Sequence, residues 1–426
     1  MSNAPRGLWQ QSDFIKVLAG ETVSDVGSRI GGLALPLAAA LLLQATPAQM
    51  AALRITEFLP RIVVGLVAGV WIDRVRRRRT LIATNATRAV LVLLVAVAAA
   101  LGVLSIEFLY AAGVVLAALG MVFNIAMAAY LPTLVPTGLL VQANGARATS
   151  DAASEVAGQT LAGALIQVLG VPLALAMDGA SFLASACGIA LVRASEPPPP
   201  PRAERRRLDA ELRTGLRTLV GQPILRAFLA TAFTAQFFYS VIQAIYVLYL
   251  TRDLGLSPTV IGVVLGLGGG SGVLLGSAAA SRCSRRFGLG RTLVVAHLLF
   301  GVLGILLALS LVWPSAAAPL VFAAEFTQLA ANAVYMVNRV SVEQAVTPPH
   351  LRGRVQSGQT VAHALSGVLG IAFGGVLGEA MGVDAAVVVG TIGGLLSFGW
   401  LWWSPVRDLS SLPGPAVAGG ASRAQM

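Results

Sequence analysis

Charge is scarce in this sequence. Only 12% of its 426 residues are Asp, Glu, Lys or Arg, about half of what a water-soluble domain carries. Cysteine is nearly absent: Cys187 and Cys283 are the only two, one in a span and one in a basic loop, so they read as free thiols and imply no disulfide framework. The three histidines, His297, His350 and His363, form no H-E-x-x-H pattern and no metal-ligand cluster. Lys16 is the single lysine, which excludes the G-x-x-x-x-G-K-[ST] phosphate loop of a nucleotide-driven pump. An enzyme is therefore not expected, and neither is a bound metal or cofactor. The lysine deficit, beside abundant alanine and arginine, points to GC-rich coding and a bacterial source.

What is present is apolar. Hydrophobic residues make up 56% of the chain, and its mean hydropathy is +0.79. Apolar stretches near 14–43, 48–72, 80–103, 108–131, 142–168 and 171–192, then 223–250, 258–281, 291–312, 316–339, 355–380 and 383–404, are each long enough to cross a bilayer. The first is too long for the apolar core of a secretory signal. Arginines gather in alternate loops: Arg74 to Arg79, Arg193 to Arg217, Arg282 to Arg291, and Arg352 with Arg354. That asymmetry places these loops and both termini on the cytoplasmic side of the inner membrane. It also accounts for the net charge of +11 without a nucleic-acid partner, since no soluble basic face with interleaved aromatics exists.

The chain repeats itself at a shift of about 212 residues. Pro47 matches Pro258, Gly65 matches Gly276, Pro136 matches Pro348, Gly158 matches Gly370 and Gly163 matches Gly375. The expectation is an all-α membrane protein of 12 transmembrane helices in two six-helix repeats. Residues 1–192 form the first bundle and 223–404 the second. Residues 193–222 join them as a cytoplasmic linker, with a stiff run from Pro197 to Pro201 followed by leucines at helical spacing (Leu208, Leu212, Leu216, Leu219). The Gly-, Ser- and Ala-rich tail, 405–426, reads as disordered.

Between the second and third spans stands "GVWIDRVRRRRTLI". Its Gly69, Asp73, Arg74, Arg77 and Arg78 fit the pattern G-x-x-x-D-R-x-G-R-R, with Arg76 in place of the second glycine. This motif resembles that of the major facilitator superfamily. "DGASFLASA" at 178–186, "AYLPTLVP" at 129–136 and "TPPHLRGRV" at 347–355 look like the branch of drug and siderophore exporters that includes macrolide efflux pumps and the enterobactin exporter. The resemblance implies the major facilitator fold, alternating access, and a monomer in membrane lipid. It also implies that Asp73 latches the cytoplasmic ends of the halves together when the pore faces outward. It further implies proton antiport, although Gln159 stands where the exporters carry proline.

Ionisable groups inside spans are costly and mark function. Glu21, Asp25 and Arg29 share one face of the first span; Arg54, Glu57 and Arg61 share one face of the second. An antiparallel register about Thr46 sets Asp25 level with Arg61 and Arg29 level with Glu57, which predicts a buried four-residue network. Asp151 and Glu155, one turn apart on the fifth span, are further candidates for proton coupling. His363 repeats the position of Asp151. Asn124 on the fourth span, Tyr239 on the seventh, and Glu325, Gln328 and Asn332 along one face of the tenth (continued by Tyr335) are the substrate-cavity candidates. Asp178 reads as structural. Gly262, Gly266 and Gly270, with Gly272 and Gly276, read as helix-packing surfaces. The expected function is proton-coupled efflux of an amphipathic small molecule: a drug, antibiotic, siderophore or other natural product. The alternative is an importer or exchanger of an organic anion with the same fold.

Overall fold

The computed structural model describes residues 7–72, 75–193, 196 and 217–412; the side chains of 61–63, 65–72 and His350 lie outside that description. Among the described residues twelve long helices account for the bundle. The first half holds α1 (Ser12–Leu37, extended by a π turn, Ala38–Leu42), α2 (Pro47–Ile72), α3 (Arg77–Ala100) and α4 (Ile106–Leu134). A helical stretch, Leu140–Ala190, follows; it breaks at Gly170, where φ is 80°, into α5 before the glycine and α6 after it. The second half holds α7 (Pro223–Leu248, with a π turn Tyr249–Asp253), α8 (Pro258–Phe287), α9 (Leu289–Val312), α10 (Ala317–Val346), α11 (Arg352–Met381) and α12 (Val383–Trp402). Among the described residues ten helical stretches are long and apolar enough to cross a membrane; one of these contains both α5 and α6, and α2 completes the twelve. Large apolar side chains such as Val90, Leu94, Leu275 and Leu396 are exposed on the outer surface, as lipid-facing positions require.

The duplication is visible in backbone detail. Gly170 and Gly382, both at positive φ, make the α5–α6 and α11–α12 joints. Each half opens with a helix ending in a π turn, and a left-handed residue follows it: Gln44 (φ 50°) and Gly255 (φ 60°). Thr46 and Ser257 then cap α2 and α8, their hydroxyls accepting from the amides of Gln49 and Val260. In both halves a proline, Pro47 or Pro258, takes the first helical position.

Packing partners are not chain neighbours throughout. α1 lies along α5 and α6, α2 against α4 and α11, and α8 against α5 and α10. Glycine decides how closely they approach. A Cβ on Gly20 or Gly27 of α1 would meet Ser185 or Ser181 of α6. Gly262, Gly266 and Gly270 face Gln159, Thr160 and Val156 of α5 in the other half, whereas Gly272 and Gly276 face Phe326 and Ala330 of α10. The glycine rows of α8 are thus packing surfaces, one on each side.

The apolar core is single at one end and divided at the other. Ile30 to Leu53, Val241 to Ile261 and Ile371 belong to one cluster built from both halves. At the arginine-rich end the first half has its own cluster (Phe14, Leu81, Tyr130, Ile189) and the second half another (Leu219, Phe228, Leu293, Val346). The two halves therefore meet at the end away from the arginine loops. Three hydrogen bonds join them there: Ala48 N–H to the Glu379 carboxylate at 3.2 Å, Thr259 N–H to the Gln167 amide oxygen at 3.1 Å, and Arg252 to the Ala40 carbonyl at 3.0 Å. The first two are repeat mates of one another. Gly163 against Pro258 and Gly262 is likewise the mate of Gly375 against Pro47 and Ala51.

One sequence expectation needs correcting here. Residues 405–412, assigned to a disordered tail, are ordered: Pro405–Asp408 form a 3-10 turn, and Gly290 N–H donates to Leu409 O at 2.7 Å. A Cβ at Gly290 would strike the Val406 carbonyl, so this glycine is what lets the tail cross the start of α9. The proline run, Leu208, Leu212, Leu216, and 413–426 lie outside the described residues.

Candidate functional site

Between the halves lies a cavity of ≈ 1260 Å³, walled by α1 to α6 on one side and by α7, α8 and α10 on the other. It begins above the shared core and runs toward the arginine-rich end. Among the described residues no hydrogen bond or ion pair crosses between the halves at that end.

Its first-half wall carries a charge ladder. α1 and α5 run parallel, so residues at a constant offset lie level. Arg147 donates from Nε and Nη2 to the two carboxylate oxygens of Glu21, both at 3.1 Å and across an offset of 126 residues. The same offset sets Arg29 beside Glu155, with which it is ion-paired; Arg29 also donates to Asp151 Oδ1 at 3.0 Å. The middle rung pairs Asp25 with Asp151, two acids at one level between two arginine-bearing rungs. Thr22 and Ser150 add a hydroxyl contact at 2.6 Å, and Gln159 donates to Glu155 at 2.7 Å. Gly158 makes the approach possible, because a Cβ there would meet the Arg29 side chain at 2.7 Å.

This arrangement replaces the Arg29–Glu57 pair expected between α1 and α2, while the expected Asp25–Arg61 pair falls on a side chain outside the described residues. Arg29 is engaged by α5, and Glu57 pairs within its own helix with Arg54 at 3.2 Å. The antiparallel register treats chain neighbours as packing neighbours, and α2 packs on α4 and α11 instead. Two basic residues that the sequence reading does not single out, Arg88 and Arg147, are on the wall. The rule that picks Asp25 applies equally to them: both are charged residues inside a span, and Arg147 stands one turn before Asp151. Asp178, read as structural, lines the cavity as well. It is 4% exposed and fills the groove left by Gly31 of α1.

The second-half wall has little charge. Glu325 accepts a hydrogen bond of 2.5 Å from the Tyr246 hydroxyl, with Tyr239 and Gln243 on the same wall. The expected polar face of α10 leaves the cavity after this residue. Gln328 reaches a small cleft behind it, near Phe300, and Tyr335 is buried with its ring 4.7 Å from that of His297. Asn332 lines neither space. That face of α10 turns toward α9, and helical spacing alone cannot say where it does so. Asn124 and Tyr239 do line the cavity. Phe237 and Phe238 pack edge to face at 5.1 Å, Phe237 beside Phe373 of α11 and Phe238 against Gly390 and Gly393 of α12.

Of the loop motif, Asp73 and Arg74 lie outside the described residues, as do the surroundings of Gly69 in α2. Arg77 and Arg78 open α3. Their amides donate to the Glu196 carboxylate at 2.6 and 3.2 Å, a cap for the positive helix end. The Arg78 side chain donates to the carbonyls of Ile189 and Ala190 at 3.2 and 2.7 Å, closing the end of α6. Both contacts stay within the first half and its linker.

Known proteins share this architecture. The chain is 26% identical over 394 residues to "Uncharacterized MFS-type transporter YfiS" of Bacillus subtilis (strain 168), covering 89% of this chain and 90% of that protein. The crystal structure of a bacterial homologue of the iron transporter ferroportin in an inward-facing state superposes with a TM-score of 0.75 at 18% identity, over 93% of this chain and 99% of that one. The outward-facing state of a bacterial ferroportin homologue gives a TM-score of 0.57 at 18% identity, over 92% and 98%. A sequence profile described as Major Facilitator Superfamily matches residues 17–305 and again 228–423. Between them the two matches span nearly the whole sequence, and the chain belongs to the Major Facilitator Superfamily.

Proposed function

We propose that this membrane transporter exports amphipathic small molecules by alternating access, driven by proton entry, and that the structure is its inward-open state. In this reading the arginine loops and both termini face the cytoplasm across the inner membrane. The observation that carries it is the cavity itself: bounded by both halves, closed at one end by a shared core, and flanked at the other by two separate cores. The difference in likeness to inward- and outward-facing ferroportin homologues, 0.75 against 0.57, supports the same state. Rocking about the cavity would exchange the sealed end for the open one. Asp73 and Arg74 then have their latch role in the opposite state, when the arginine loops converge.

The α1–α5 ladder is the proposed coupling element. Asp25 has no hydrogen bond or ion pair among the described residues, so a proton can join it without displacing a partner. The neighbouring rungs hold their charges in fixed pairs. Purified protein in vesicles, loaded with a fluorescent amphipathic substrate and given an inward proton gradient, should release it faster than with no gradient. Asp25→Asn should abolish the acceleration and leave substrate binding in place. Gradient-dependent release that survives this substitution would remove Asp25 from the coupling path, and release indifferent to the gradient in the unaltered protein would remove protons altogether.

A further inference from the structure

The arginines on the cavity wall raise the question of which charge the substrate carries. On the described wall three of the four arginines are ion-paired with acids. Arg147 holds Glu21, and Arg29 holds Asp151 and Glu155. Arg54 holds Glu57, and Arg88 lies over the Phe182 ring, 3.9 Å from its centre, on the same stretch of wall as Asp178. Asp25 and Glu325 have no arginine in hydrogen-bond or ion-pair contact among the described residues. The described wall thus holds seven acids against four arginines. An anion entering this space meets a surplus of acids, and at Arg29, Arg54 or Arg147 it would compete with a carboxylate already in place. A cation faces no such competition.

The surroundings of Glu325 specify the cation further. Its carboxylate is the only acid on the described second-half wall, and the Tyr246 hydroxyl orients it. Tyr239 stands beside it, with the Phe300 ring 6.4 Å behind. Leu265 and Leu329 make the surface apolar. Gly269 of α8 leaves the approach clear: a Cβ there would lie 3.7 Å from Glu325 Oε2 and 3.0 Å from Leu329. A carboxylate, aromatic rings and an apolar wall together suit a bulky cation of spread charge, which gains from ring faces and loses little hydration. A small hydrated metal ion would want several oxygen ligands converging on one point, and Glu325 is a single carboxylate.

We propose that the substrate is a lipophilic organic cation whose charge is seated at Glu325 between Tyr239 and Tyr246. This rests on the transport reading above, and the two can fail separately. Tetraphenylphosphonium and tetraphenylborate have nearly the same shape and opposite charge. Equilibrium dialysis with detergent-purified, full-length protein should show the cation binding at least about tenfold more tightly than the anion, which corresponds to about 1.4 kcal/mol. Glu325→Gln, which keeps an acceptor for Tyr246, should erase most of that preference, and Glu325→Asp should retain part of it. Equal binding of the two probes by the unaltered protein overturns the proposal without any substitution. So does a Glu325→Gln protein of unchanged melting behaviour that keeps the preference. If the anion binds and its flux follows the proton gradient, transport stands and the cation assignment falls. If the cation binds at Glu325 but never crosses vesicles under any gradient, the site stands and the transport reading falls.

Discussion

The two halves share a backbone and differ in chemistry. Where α1 carries Glu21, Asp25 and Arg29, the mates on α7 are Ala232, Gln236 and Ser240; where α5 carries Arg147, Asp151 and Glu155, the mates on α11 are Gln359, His363 and Gly367. The second set still meets in space. Gln236 donates to Ser240 at 2.9 Å, and a Cβ at Gly367 would lie 3.5 and 3.7 Å from these two side chains. Joints, caps and seams recur in both halves, as the proposed rocking would use. A charge inside a membrane is expensive wherever it sits, and one ladder is enough. The second half is free to supply tyrosines and a single carboxylate.

The largest test removes a rung from each half. Arg147→Ala would leave Glu21, whose side chain is 8% exposed, without its counter-ion, a loss of about 3–5 kcal/mol for a broken buried pair. Thermal unfolding in detergent should fall by many degrees and transport should cease. The mate, Gln359→Ala, removes one hydrogen bond of 2.8 Å to Glu343, which Arg339 still holds at 3.3 Å; the expected loss is about 1 kcal/mol. Equal losses from the two would mean that the charge ladder has no special standing.

Symmetry predicts equality elsewhere. A Cβ at Gly163 would meet the Pro258 carbonyl at 2.2 Å, and one at Gly375 would meet the Ala51 side chain at 2.3 Å. Gly163→Leu and Gly375→Leu should each wedge the sealed end apart at about 1–3 kcal/mol. Both should raise labelling of a cysteine placed at Ala51, which is buried at the sealed end, by a reagent supplied from that side. A wedge effective in one half alone would contradict matched rocking surfaces.

The smallest effect concerns the two caps. Glu379 brings a full charge to the start of α2, and Gln167 only a dipole to α8. Glu379→Gln should weaken the seal by about 0.3–1 kcal/mol at low salt, a few-fold change in the same labelling rate, and added salt should reduce the difference.

The sequence made the scaffold legible because hydropathy and glycine spacing are one-dimensional signals. Twelve spans and the 212-residue shift follow from them, and the matched pairs Pro47 with Pro258 and Gly163 with Gly375 mark the contacts between halves. Partners within the site were harder to read. Which helix Arg29 faces depends on rotation and packing, and the loop between α1 and α2 suggested the wrong neighbour. Arg147 was available to the same reasoning as Asp151, one turn away. Gln328 and Asn332 share a helical face with Glu325, but spacing does not fix where that face leaves the cavity.

The seam closed by Gly163, Gly262 and Gly375 has a mechanical meaning. Surfaces of glycine and backbone have no long side chains to disentangle, and they bury little oily area per contact. At these contacts the resistance to parting lies in the apolar core around the seam rather than in interlocked side chains. In the proposed rocking cycle, smooth glycine surfaces would let the halves separate without unlocking long side chains.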